Sequence, residues 1–450
     1  MHDLRRLTGT PSRSLPHGRA PEGVARGGPS LAGGMDGEVG TFKDNKTAPI
    51  HRWFQYPAGF SYRAVEHALD LFPVASGGTV YDPFAGTGTT LVVCKGRGVR
   101  SVGVEAHPLV ARIARTKVAW EVDGTSLARE AERFLRSLPR HPPSGKRVDG
   151  LPELVRKCYS RENLARLLAV RDRLDSVPPE LRDLFEVALV GTLRSASAAA
   201  TGWPYIAPRK RIQEREAYAT YAEAVRRCID DLATTAPETR HVESKVLEAD
   251  ARDPPLPPGK VDLAFTSPPY LNNYDYADRL RLETYFLGMA ATWADISERF
   301  RSRLVVSATT QVQRRDGSPE DRVLRAVEGV EPVVARELSR KVRALSEVRY
   351  RRRGKKNYDL MVARYFEDMT RALAATQRAL RPGGAFVLIL GDSAPYGVPI
   401  PTEEYLGRIG VGTGFRSYQV HPLRERGGKW RSNPQRHHVP LKESWLVLHN

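Results

Sequence analysis

Cysteine is scarce in this chain: three residues among 450, Cys94, Cys158 and Cys228, far apart and odd in number. They form neither a disulfide framework nor a pair at metal-ligand spacing, so a reducing cytoplasm is the expected compartment. Metal ligands are equally thin. His437-His438 has no Cys or Glu at ligand spacing, and no metal is expected. No apolar run approaches the roughly 20 residues needed to span a bilayer, so no membrane association is expected. The first 34 residues are rich in Gly, Pro and Arg and lack the continuous apolar stretch of a secretory leader. Residues 1–40 therefore read as a disordered tail, with Met35 as an equally competent start. There is no Gly-x-x-x-x-Gly-Lys-Ser/Thr, which disfavours a triphosphate loop. No nuclease-type carboxylate cluster and no internal repeat are found.

Positive charge is abundant. Seventy Lys and Arg stand against 52 Asp and Glu, a formal +18. Such an excess suits a polyanion, because each cation that meets a phosphate releases a condensed counterion. Three runs are basic, and the first and last also hold aromatic residues: Trp203 to Tyr205 with Pro208 to Arg211, Arg351 to Lys356, and Arg424 to Arg431. Any one of them is most often a solvated face, whereas the combination suits stacked bases and phosphates.

The apolar pattern predicts a helix over 61–72, a short strand over 79–81, a helix over 89–98, a strand over 101–105 and a helix over 108–120. This is the opening of a doubly wound, Rossmann-like α/β sheet. Residues 41–121 form its first part. A helical insertion without a clear strand is expected over 122–243. The core resumes over 244–293, with strands at 245–249 and 261–266. A second, basic insertion spans 294–357 and holds a β-like piece at 303–308. The C-terminal part, 358–450, brings a helix over 359–380, a strand over 385–390 and a terminal strand pair at 415–421 and 444–449.

Two loops carry chemistry. Asp82-Pro83-Phe84-Ala85-Gly86-Thr87-Gly88-Thr89-Thr90 leaves the first strand and opens a helix, and its glycines let the backbone turn and approach a ligand closely. Glu105 ends the next strand and Asp250 a third; a carboxylate at such a place can accept two hydroxyls. Thr266-Ser267-Pro268-Pro269-Tyr270 empties from the apolar strand 261–266. Two prolines stiffen that turn and point its carbonyls outward. An aromatic amine is a poor nucleophile because its lone pair is delocalised. The Ser267 hydroxyl and the Pro268 carbonyl can accept its protons, while Tyr270 stacks on the ring. Asp392 and Ser393, after strand 385–390, are expected near the same cleft.

The nine-residue glycine loop resembles motif I of the bacterial amino-methyltransferases, which methylate exocyclic base amines. The resemblance implies S-adenosylmethionine as cofactor, with Asp82, Phe84, Gly86, Gly88, Glu105 and Asp250 in its pocket. The segment His51 to Ser61 resembles the family's motif X and adds Phe54. Ser267-Pro268-Pro269-Tyr270 resembles the family's catalytic motif and implies four catalytic residues. The likeness covers roughly 48–120 and 245–290 closely and 359–450 loosely. It implies double-stranded DNA as substrate, with the target base flipped, in a restriction-modification setting. Target recognition would fall to 122–243 and a further DNA contact to 294–357. Serine at the first catalytic position resembles the cytosine-N4 branch. The cofactor loop precedes the catalytic loop here, however, unlike most cytosine-N4 enzymes. Adenine N6, an RNA base amine, or a catalytically silent DNA-binding protein on the same fold remain alternatives.

Overall fold

The strand stretches 261–266 and 385–390 read as near-continuous apolar runs because both faces of the main sheet are covered there. The computed structural model describes residues 42–56, 59–142, 145–201, 205–313, 324–426 and 439–450. The N-terminal tail, Met35, Trp203, Pro204, the run from Gly427 to Arg431 and His437-His438 lie outside the described residues. Nine strands are present among the described residues: β1 (Thr79–Asp82), β2 (Arg100–Val104), β3 (Ala199–Thr201), β4 (Ile206–Arg211), β5 (Ser244–Leu247), β6 (Val261–Thr266), β7 (Leu380–Gly391), β8 (Ser417–Arg426) and β9 (Leu441–His449). Seven of them form one sheet in the order β5-β2-β1-β6-β7-β9-β8. The first five run parallel, and β9 lies antiparallel between β7 and β8. The expected doubly wound sheet and terminal strand pair are both present.

Alternation along the central strands divides the core in two. Val80, Leu263, Phe265, Val387, Ile389 and Trp445 pack on one face under helix Tyr62–Leu71. Tyr81, Ala264, Phe386, Leu388, Leu446 and Leu448 pack on the other, under helices Tyr358–Ala379 and Thr402–Gly412. Chain order reverses between β1 and β6, and a crevice opens at the carboxyl ends of strands at such a switch point. Both chemistry-bearing loops leave these two strands.

The 122–243 insertion is mostly helical, as expected, and shares a core with helix Pro108–Val118. It also holds the β3–β4 hairpin, which the sequence pattern does not reveal. Pro208 and three consecutive basic residues in β4 break the apolar alternation that marks a strand. The insertion grips the start of the core through Asp231. This buried carboxylate accepts from the Ile50 amide at 2.8 Å, from Trp53 Nε1 at 2.9 Å and from Arg52 Nε at 3.1 Å. Helix Pro179–Ser195 closes the same joint at Gly191, where a Cβ would stand 2.6 Å from the Trp53 carbonyl oxygen.

In the 294–357 insertion the β-like piece at 303–308 is not a strand. Its amides bond to side chains instead: Val306 to Asp368, and Ser307 and Ala308 to Gln311. The basic run at 351–356 follows helix Pro332–Arg351, and Arg351, Arg352 and Arg353 are exposed.

Candidate active site

The cofactor loop begins with a carboxylate that never reaches the surface. Asp82 is fully buried and accepts from Thr90 Oγ1 at 2.5 Å, Thr266 Oγ1 at 2.6 Å and the Phe84 amide at 3.0 Å. It thus ties the glycine loop of β1 to the strand that ends in the catalytic loop. Burial outweighs these hydrogen bonds and pushes its carboxyl up to about 6. Gly86 (φ 51°) and Gly88 (φ 83°) take left-handed conformations. Gly88 caps helix Thr89–Gly96, and a Cβ on it would also press on Ala114 at 3.3 Å.

Glu105, just beyond β2, faces this loop. Its two oxygens accept from the Gly86 amide at 3.1 Å and the His107 amide at 2.7 Å. Burial pushes its carboxyl up to about 7, and nearby Asp82 adds to the rise. His107 is buried, stacks on Phe300 at 4.6 Å and is held neutral by burial, its pKa lowered to about 3. Neither of its ring nitrogens has a hydrogen-bond partner among the described residues.

These residues line a cleft of about 830 Å³, counting the open space at its mouth. Phe84, Gly86, Glu105 and His107 form one side, with Asp250 and the stretch Arg303 to Val305 beyond them. Ser267 and Pro269 of the catalytic loop enter from β6, and Tyr276 lies beside them. The residues suit an adenosyl cofactor. A Cβ at Gly86 would meet nothing closer than 3.9 Å, so the loop floor is open. Glu105 supplies a half-buried acid for ribose hydroxyls, and His107 supplies ring nitrogens without a partner among the described residues.

Three expected pocket residues are placed differently. Phe54 is buried in the core shared with the insertion and does not line the cleft; Tyr56, Gly59 and Phe60 of the same segment do. Asp82 acts behind the loop, because it is fully buried with both oxygens engaged by Thr90, Thr266 and Phe84 and does not line the cleft. Gly88 shapes the turn and does not line the cleft either. Asp250 does line it, with its carboxylate held by Arg252. Ser393 donates to the Leu271 carbonyl just past the catalytic loop. Glu403 lies near Asp392, and its carboxyl is pushed up to about 8, chiefly by burial and further by the Asp392 charge.

Tyr270 is half-buried, and its hydroxyl donates to Glu443 Oε1 at 3.0 Å. The loop beyond it is held by side chains. Asn273 (φ 61°) accepts from the Thr309 amide at 2.8 Å, and Asp275 pairs with Arg301 at 2.7 Å. Sequence reasoning misses Tyr276, His107, Arg303 and Glu443. Tyr276 alone leaves a signal, as part of the aromatic stretch after the catalytic loop.

The state of Glu105 gives a pH dependence. Its folded pKa lies above the ordinary carboxylate range. The apo protein is therefore stabilised by the neutral acid at low pH and loses that contribution as pH rises from about 4.5 to about 7. Ribose hydroxyls favour the ionised form, so cofactor affinity is expected to rise as pH passes through about 7, with proton release on binding. Calorimetry in buffers of different ionisation enthalpy checks this, with Glu105→Gln flattening the profile. Affinity that ignores pH, with no proton released, would remove Glu105 from this role.

A DNA methylase family model matches residues 40–116, the stretch holding the aromatic segment, the glycine loop and the β2 acid. Over most of its length the chain resembles two Type II methyltransferases. M.BsoBI of Geobacillus stearothermophilus is 23% identical, covering 86% of this chain and 83% of the relative. M.AvaI of Nostoc sp. is 21% identical, covering 88% and 85%. Two solved structures also match: a geranyl diphosphate methyltransferase in complex with GPP and sinefungin (10% identity, 95% of each chain, TM-score 0.30), and the rRNA methyltransferase aviRa of Streptomyces viridochromogenes (12% identity, 92% of this chain and 93% of that one, TM-score 0.29). Sheet order, glycine loop and strand-end acid define an S-adenosylmethionine-dependent methyltransferase. The DNA methylase match and the Type II relatives make the chain similar to DNA amino-methyltransferases of the cytosine-N4 or adenine-N6 kind and support methyl transfer as its activity.

Proposed function

We propose that this enzyme methylates the N4 amine of cytosine at a specific site in double-stranded DNA, with the base flipped into the cleft. The observation that carries the reading is the joint at Asp82. It holds Thr266, and hence the Ser267-Pro268-Pro269-Tyr270 loop, against the cofactor loop in one crevice. The bound cofactor supplies an electrophilic methyl group. Ser267 and the Pro268 carbonyl accept the protons of the target amine and favour a more tetrahedral nitrogen. Tyr270 stacks on the base and aligns it. Serine is short and neutral, which matches the smaller cytosine ring. In the proposed domain plan the 122–243 insertion reads the target. Tyr205, beside the basic hairpin strand β4, accepts from the Asp275 amide at 3.0 Å, which sets exposed Arg209, Lys210 and Arg211 near the catalytic loop's continuation. The 294–357 insertion adds its basic run.

Base-resolved methylation mapping of plasmid DNA from cells expressing the chain tests the proposal. N4-methylcytosine at a recurring site, absent with Ser267→Ala, is the expected result. N6-methyladenine there would reassign the base. An unmarked plasmid, with cofactor binding demonstrated, would move the acceptor to RNA.

A further inference from the structure

Two side chains from the far end of the sheet hold the ring of Tyr270. Glu443, in β9, is only 2% exposed and stands opposite Gly391 of β7 and Arg424 of β8. Its Oε1 accepts from the Tyr270 hydroxyl at 3.0 Å and its Oε2 from Arg424 Nε at 2.7 Å, so the acid is itself fixed. Two residues on, Arg426 projects from the same side of β8 as Arg424. Its guanidinium lies over the Tyr270 ring, 5.1 Å from the centroid. Gly391 leaves room for that guanidinium, since a Cβ there would run into Arg426 Nη1.

The two contacts restrain different motions. The hydroxyl lies on the Cβ–Cγ axis about which a tyrosine ring turns. A hydrogen bond there fixes where the far end of the ring sits but leaves its plane free to rotate. A planar cation over one face fixes the plane and is held by the negative face of the ring. A base that stacks needs both restraints, because stacking demands a set plane at a set place. The cap also decides which face is used. The cleft is lined chiefly by the loops after β1, β2, β5 and β6, whereas Arg426 reaches in from β8, past β9 and β7. The target amine must meet Ser267 on the cleft side. We infer that Glu443 and Arg426 are positioning residues that mount Tyr270 by its rim and its back, leaving the cleft-side face as the platform for the extruded base. Guanidinium, ring and base then form one three-layer stack. The inference rests on the stacking role of Tyr270 proposed above.

Tyr270→Phe keeps the ring and removes the rim bond, and Arg426→Ala removes the cap. Each is expected to lower base extrusion about fivefold, the equivalent of one hydrogen bond or cation–π contact, read from the fluorescence of 2-aminopurine at the target position. kcat/KM for DNA should fall by the same factor, with cofactor affinity and melting temperature at wild-type values. Glu443→Met removes the acceptor and should match Tyr270→Phe, and combining the two should cost no more than either alone. Arg426→Ala should keep its full effect in the Tyr270→Phe background, because it acts on the plane of the ring. Arg426→Lys keeps the charge but has no plane, so it should fail to restore extrusion. Wild-type extrusion in Tyr270→Phe or Arg426→Ala would overturn the inference, as would a further loss when Glu443→Met is added to Tyr270→Phe. Stronger extrusion in Arg426→Ala would put the guanidinium on the base's own face, and full rescue by lysine would mark a phosphate contact; either overturns the cap. Wild-type extrusion in Tyr270→Ala would overturn the stacking reading and this inference together.

Discussion

Alanine in place of Asp82 is expected to lower stability by about 3 kcal/mol, since each buried donor left without its acceptor costs roughly 1–3 kcal/mol. Three donors lose their partner, from Thr90, Thr266 and the Phe84 amide. The two hydroxyls can turn elsewhere and the cost of burying the charge disappears, so the sum stays well below three full penalties. Function should suffer more than folding. The joint fixes the catalytic loop against the cofactor loop, and its loss lets the two drift. Cofactor affinity and kcat should fall together, whereas Asp82→Asn, which keeps the volume and one acceptor, should fold nearly as well as wild type. Urea unfolding beside cofactor titration checks both halves. An unchanged midpoint with unchanged affinity in Asp82→Ala would show that the joint is dispensable.

The catalytic loop should separate into two kinds of loss. Ser267→Ala removes an acceptor used as the nitrogen becomes nucleophilic. It is expected to reduce kcat about 10²-fold at nearly constant KM, the usual scale for one preorganised polar group in an active site. Tyr270→Ala removes the stacking surface, worth about 1–3 kcal/mol per base. Its loss should show in base extrusion and KM as well as in kcat. Single-turnover methylation with a 2-aminopurine substrate distinguishes the two. If Tyr270→Ala flipped the base as well as wild type, the ring would have no stacking role.

The parts legible in sequence are those whose meaning is local. Gly86 and Gly88 announce a tight turn wherever they fall after a strand, and both adopt positive φ. Ser267 to Tyr270 announces a stiff loop in the same way, and the strand 261–266 is legible to the residue. The aromatic segment 51–61 stands out, but it is irregular, so neither helical nor strand periodicity indicates which ring faces the cleft. Phe54 is the expected one, and Tyr56 and Phe60 are the ones found. Asp82 is legible as important but not as internal, because its partner Thr266 lies 184 residues away. Glu443 is invisible for a related reason. A lone acid near the C-terminus acquires meaning only when β9 inserts between β7 and β8 and meets Tyr270, 173 residues earlier.

The grip of Asp231 on residues 50–53 bears on how such an enzyme can diverge. The segment it holds runs directly into Tyr56, Gly59 and Phe60 on the cleft wall. The insertion is therefore a structural co-owner of the cofactor pocket, not a cassette plugged into a finished catalytic body. Exchanging residues 122–243 between relatives would strip Ile50, Arg52 and Trp53 of their anchor unless the graft brings an equivalent acid. If the insertion reads the target as proposed, new specificities on this scaffold must arise by inheriting both pieces together, or by changes confined to the surface of the insertion.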